Sequence, residues 1–166
     1  MRRNFFTRLV LEDEGLLDKN DFTIRAWFAL VGGFTEVERH LRRVIARQGL
    51  NLPRFDILML LSRQPGGVSM GNLARDLVVT KGNVTGVVKR LESDGLIERV
   101  VDKNDRRIQT VKLTERGREA FDAHYSVYAE SVSGALGHLS AEELHQLTNI
   151  MAKIDADLLK EVGVYD

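Results

Sequence analysis

Cysteine is absent from the 166 residues, proline occurs twice and tryptophan once. Without thiols there is no disulfide, no thiolate metal site and no cysteine redox sensor. Two prolines leave room for long uninterrupted helices. No stretch approaches the roughly 18 consecutive apolar residues that a transmembrane helix needs. Near the start, Arg8 and the acidic residues Glu12, Asp13 and Glu14 cut the apolar run short of a secretory core. A cytoplasmic protein without a membrane partner is expected, and the sequon Asn83-Val84-Thr85 is then not a glycan site. The chain also lacks a His-Glu-x-x-His pair and a phosphate-binding glycine loop, which argues against an enzyme. Glu36 and His40 stand one helical turn apart, but His124, His138 and His145 have no spacing that completes a site, so neither metal nor cofactor is expected.

Charge is present in equal amounts of each sign, 24 basic and 24 acidic residues, but it is not evenly spread. Residues 1–53 carry 9 basic and 7 acidic side chains, residues 54–118 carry 13 and 8, and residues 119–166 carry 2 and 9. A basic middle beside an acidic end points to one surface for phosphate and another kept away from it.

Apolar positions Ala26, Leu30, Phe34, Val37, Leu41, Val44 and Ile45 step by three or four and predict one helix over 21–47 with Asp21 as its cap. Gly32 and Gly33 lie inside it and imply a bend or a close approach by another backbone. A central apolar helix is predicted over 53–64, with Pro53 in its first turn. Ser69 and Thr80 cap predicted helices 70–77 and 81–94, and Gly95 follows the second where a left-handed backbone is usual. Residues 96–102 and 107–113 predict a hairpin. A helix follows Thr114, and Ser140-Ala141-Glu142-Glu143 is a capping box before a last helix whose Leu144, Leu147, Met151, Ile154 and Leu158 form a seam. That seam, with the apolar face of the first helix, fits a second copy of the chain related by a two-fold axis.

Two helices at a short turn followed by a hairpin make a winged helix-turn-helix, which is shaped for duplex DNA. In helix 81–94, Val84, Val87, Val88 and Leu91 form the inward stripe and leave Gly82, Thr85, Gly86 and Lys89 outward, with Lys81 and Asn83 beside them. Small and polar side chains there suit a major groove, with Asn83 and Thr85 for base edges and Lys81 and Lys89 for phosphates or guanine. Ser69, Thr80 and Lys103 complete the expected DNA-facing set. Arg106 and Arg107 at the hairpin tip suit a minor groove, with Asp105 beside them to hold a guanidinium in place.

The runs Val79–Arg99, Asp102–Arg107 and Val111–Gly117 resemble the MarR family of bacterial transcription regulators, and the wing motif and Leu113-Thr114-x-x-Gly117 are specific to it. The resemblance covers roughly residues 35–160. It implies a mainly α fold with a small β-hairpin wing, divided into 1–47 (extension and first dimerisation helix), 48–113 (winged helix-turn-helix) and 114–166 (further dimerisation helices). It also implies a homodimer on double-stranded DNA, with residues 80–94 as recognition helix and a wing in each flanking minor groove. Some 20 residues precede the first family-like helix, and the partner subunit is one surface they would touch. Such regulators commonly respond to a small aromatic acid, a phenolic compound or a coenzyme A thioester. Arg25, Trp27, Phe34, His40 and Arg43 are candidates to line such a ligand site. Two alternatives stand beside this reading: a winged-helix module that binds protein without DNA, and a metal-responsive regulator.

Overall fold

The computed structural model describes residues 4–11, 22–77, 81–101 and 109–161, with only the backbone course described for Leu11, for 81–83 and for 155–161. Two compact units form, Met1–Ser131 and Val132–Asp166. Among the described residues no helix is long and apolar enough to cross a membrane.

In the first unit, helix α1 (Phe5–Leu11) precedes the long helix α2 (Phe22–Arg47). The sequence reading placed no element before residue 21, and the structure supplies one that packs on the same chain's α2. Asn4 explains it: its Oδ1 accepts from the Thr7 N–H at 2.9 Å, a capping contact, while its Nδ2 donates to the Gly32 carbonyl at 3.0 Å and to Glu36 Oε1 at 2.9 Å. Phe6 stacks on Phe28 at 5.6 Å between ring centroids, Leu9 is buried, and the Arg25 guanidinium donates to the Val10 carbonyl at 3.0 Å. A Cβ on Gly32 would lie 2.7 Å from Thr7 Oγ1 and 3.1 Å from Thr7 N, so the close approach expected of the glycine pair exists at Gly32. Among the described residues, nothing lies within 4 Å of where a Gly33 side chain would stand.

Helix α3 (Leu52–Ser62) is capped by Asn51, whose side chain accepts from the Arg54 N–H at 3.0 Å, and Pro53 sits in its first turn as predicted. Its Phe55, Ile57, Leu58 and Leu61 are buried and meet Ile45, Leu73, Val84, Val88, Leu91 and Val111 in one core. Strand β1 (Val68–Ser69) leads directly into α4 (Met70–Asp76), and α5 (Lys81–Ser93) is followed by β2 (Ile97–Val101), β3 (Gln109–Leu113) and α6 (Glu115–Leu136). The antiparallel sheet has order β1-β3-β2, with Val68 opposite Val111 and pairs running from Ile97 opposite Leu113 to Val101 opposite Gln109. The two-residue β1 has no sequence periodicity to reveal it. It forms because Gly67, at φ 86°, lets the chain pass close to the Val111 carbonyl.

In the second unit, α7 (Ala141–Glu161) starts at the predicted capping box: Glu143 Oε2 accepts from the Ser140 N–H at 2.7 Å and Ser140 Oγ accepts from the Glu143 N–H at 3.2 Å. The Ser140 N–H above all, and the Ser140 hydroxyl donating to Oε2 at 2.9 Å, hold the Glu143 carboxyl below its ordinary range. Leu147, Ile150 and Ile154 are exposed along α7.

Candidate nucleic-acid interface

Helices α4 and α5 are set by side chains that face inward. Ser69 caps α4 by accepting from the Asn72 N–H at 3.2 Å, and Leu73 anchors the helix in the core. On α5, Val84, Val88 and Leu91 are buried and Val87 is half-buried, the stripe predicted from the sequence. That leaves Thr85, Gly86, Lys89 and Arg90 exposed on the other side, with no atom of the described residues within 4 Å of where a Gly86 side chain would project. A helix presenting a small, polar and cationic surface over a firmly packed back is able to approach a groove closely and offer donors to bases and phosphates.

The strands that carry the wing are fixed to the same helix. Arg99 of β2 donates through Nε to Glu92 Oε2 of α5 at 2.9 Å, and the pair is partly shielded from solvent. Gly95 turns the chain at φ 69°, and the Leu96 N–H returns to the Leu91 carbonyl at 2.9 Å. Thr114 Oγ donates to the Gly95 carbonyl at 2.7 Å and accepts from the Gly117 N–H at 3.0 Å. A Cβ on Gly117 would stand 1.8 Å from the Leu96 carbonyl oxygen. The Leu-Thr-x-x-Gly motif is therefore a lock: threonine ties the start of α6 to the end of α5, and glycine admits the backbone between them.

Of the expected DNA-facing residues, Ser69 is a cap, and Thr85 and Lys89 share the exposed face of α5. Lys81, Gly82 and Asn83 lie in the first turn of that helix, with side chains outside the described set. Thr80, Lys103, Asp105, Arg106 and Arg107 lie outside the described residues.

All five expected ligand residues lie along α2. Arg25 is engaged with α1, Arg43 donates to the Arg39 carbonyl at 3.3 Å, and Trp27, Phe34 and His40 are exposed along α2. Glu36, one half of the weighed metal pair, is instead held by Asn4 and Arg39, and the Asn4 hydrogen bond above all keeps its carboxyl below the ordinary range. Among the described residues no group of three potential ligands could hold a metal.

Two features escaped the sequence reading. Asp56 of α3 is half-buried, and desolvation pushes its carboxyl up to about 6, against the pull of Arg42 and with a smaller push from Glu38. The nearby Tyr128, its ring tilted against Phe55 at 4.8 Å between centroids, is raised by burial first and then by the charges of Asp56 and Tyr125. The second is Arg54, paired with Asp94 across 40 residues of sequence. A cation in the first turn of a helix opposes the macrodipole, and that misplacement was the signal to look for.

The MarR family model matches residues 50–109, from just before α3 to the first residue of β3. The transcriptional activatory protein BadR of Rhodopseudomonas palustris is 29% identical over 148 residues, 87% of this chain and 85% of that protein. The HTH-type transcriptional regulator YkoM of Bacillus subtilis is 32% identical over 72% of this chain and 77% of its own length. The structure of AbsC, a MarR family transcriptional regulator from Streptomyces coelicolor, superposes with a TM-score of 0.76 at 24% identity, covering 86% of this chain and 97% of that one. With its packed-back α5, its anchored wing strands and its threonine–glycine lock, this chain belongs to the MarR family of winged-helix, DNA-binding transcription regulators.

Proposed function

We propose that the protein is a ligand-responsive repressor that binds a palindromic operator as a homodimer. Residues 48–113 contact DNA in this reading, and residues 1–47 and 114–166 hold the two copies together. The observation that carries it is the coupling of α5 to the wing. Its exposed Thr85, Gly86 and Lys89 and the strands behind the wing are joined by Arg99 and Glu92, so helix and wing meet a duplex as one rigid reader. Two such readers related by a two-fold axis suit half-sites about one turn apart, some 34–36 Å. The exposed apolar side chains Trp27 and Phe34 on α2 form one face for a second copy to cover, and Leu147, Ile150 and Ile154 on α7 form another.

Arg106 and Arg107 are assigned to the minor groove, with Asp105 orienting them and Lys103 adding phosphate contact. Replacing either arginine by alanine weakens operator binding about tenfold in a gel-shift titration at fixed salt and leaves the dimer intact. Unchanged affinity removes the wing from the mechanism, and the absence of any salt-sensitive preference for the protein's own upstream DNA over random competitor removes DNA binding altogether. The effector class that fits the reading is a small aromatic acid, a phenolic compound or a coenzyme A thioester. BadR is named an activator, which favours the opposite sign of regulation as a second reading. A reporter on the bound promoter, assayed with and without the gene for this protein, separates the two.

A further inference from the structure

Asp56 sits on α3 in the first unit, facing both α2 and α6. Its chain neighbours Phe55 and Ile57 are fully buried and the carboxyl itself is half-buried, yet among the described residues that carboxyl has neither a hydrogen bond nor an ion pair. Desolvation without a compensating donor favours the neutral form of an acid. The charged and titratable groups that face Asp56 are Arg42 and Glu38 from α2 and Tyr128 from α6, with Tyr125 next to Tyr128. On α3 itself, Arg54 is taken by Asp94. Arg42 is the group able to change sides. It donates to Glu38 Oε1, one turn back on its own helix, at 2.5 Å, and makes no ion pair with Asp56, the arrangement that suits a neutral Asp56. An exposed pair within one helix is weak, whereas a carboxylate in drier surroundings attracts a guanidinium more strongly. Only residues 48–51 join α2 to α3, with Gly49 turning the chain at φ 81°, and α3 in turn packs against α5.

We propose that Asp56 and Arg42 form a proton-operated switch at the joint between α2 and α3: while Asp56 is neutral Arg42 stays with Glu38, and once Asp56 is ionised Arg42 crosses to it and ties the two helices together. Burial holds the carboxyl up at about 6, so the change-over falls between neutral and mildly acidic pH, with the ionised form above it and the neutral form below. A charge pair between helices costs stability through desolvation but fixes their geometry, whereas a pair within α2 leaves the joint free. The DNA-reading α5, carried on α3, is thereby held in one position relative to α2 above pH 6 and released below it. Operator affinity falls on acidification, and DNA in turn favours the ionised acid by the same factor. This coupling rests on the DNA-binding function proposed above, but the switch does not.

Nuclear magnetic resonance of the full chain, labelled with carbon-13 in aspartate and nitrogen-15 in arginine, tests the switch. The Asp56 carboxyl carbon is expected to titrate near pH 6, and the Arg42 Nε–H resonance to shift with the same midpoint. Glu38→Gln, which removes Arg42's present partner and a repelling charge, lowers that midpoint by about half a unit or more, and Arg42→Gln, a change at an exposed position, raises it by a similar amount. A buried acid with only a structural role titrates without moving Arg42. An Arg42 resonance that ignores the Asp56 midpoint, or a midpoint unmoved in both variants, therefore overturns the switch. In gel shifts at fixed salt, Asp56→Asn, held in the neutral arrangement, matches the wild type at pH 5 and binds operator about threefold or more weakly at pH 8, although it is the more stable protein there. Equal affinities at pH 8 overturn the coupling. A protein that ignores DNA at both pH values while Arg42 follows Asp56 leaves the switch standing and sinks the proposed function instead.

Discussion

Gly117 and Asp56 show how much a single position carries in this molecule. At Gly117 any side chain collides with the Leu96 carbonyl, and backbone cannot swing aside as the end of a flexible side chain does. Gly117→Ala is expected to cost about 2–4 kcal/mol. Chemical denaturation measures that cost, and a variant as stable as the wild type would show that α6 is free to shift. Asp56 has its carboxyl raised from 3.8 to about 6, chiefly by burial. A raised acid favours the protonated native state, so its contribution is fully present below pH 4 and is lost as pH rises to about 6. Asp56→Asn should therefore match the wild type in acid and exceed it at pH 8 by about 1 kcal/mol, after allowance for solvent screening. The difference between the two melting temperatures across pH 4–8 checks this, and a constant difference excludes Asp56 as its source.

At the scale of elements, the fold uses short polar bridges to place pieces that their own propensity would not hold. Seven residues make a marginal helix in water, yet α1 is fixed by Asn4, by the notch at Gly32 and by the stack of Phe6 on Phe28. Asn4→Ala together with Gly32→Val should detach α1, raising amide exchange over residues 5–11 at least tenfold while leaving α3 and α5 protected. Unchanged exchange would mean that the apolar contacts hold α1 alone. The sequence reading missed this helix because nothing local announces it, whereas the capping box at Ser140, the cap at Ser69 and the stripe on α5 are local and were legible. The wing strands were legible from their β-branched residues, but β1 exists only because Val111 offers it an edge.

The whole molecule divides its charge along the chain, with the cationic middle running from α3 to the first turn of α6 and the acidic end forming the rest of α6 and α7. If α7 joins two copies, a chain ending before Ser140 is monomeric and loses the avidity of two linked half-sites, about 10²- to 10⁴-fold in operator affinity. Analytical ultracentrifugation decides it, and a truncated protein that still sediments as a dimer transfers the role to α2. Periodicity, caps and turn residues act within a few positions of each other, so the sequence by itself determined the helices around the core, the winged order of elements and the outward face of α5. Only the tertiary structure decided the seating of α1 on Gly32, the third strand, the raised carboxyl of Asp56 and the meeting of Arg54 with Asp94. Each of these depends on groups far apart in the chain sharing desolvated space, and burial is a property of the assembled fold.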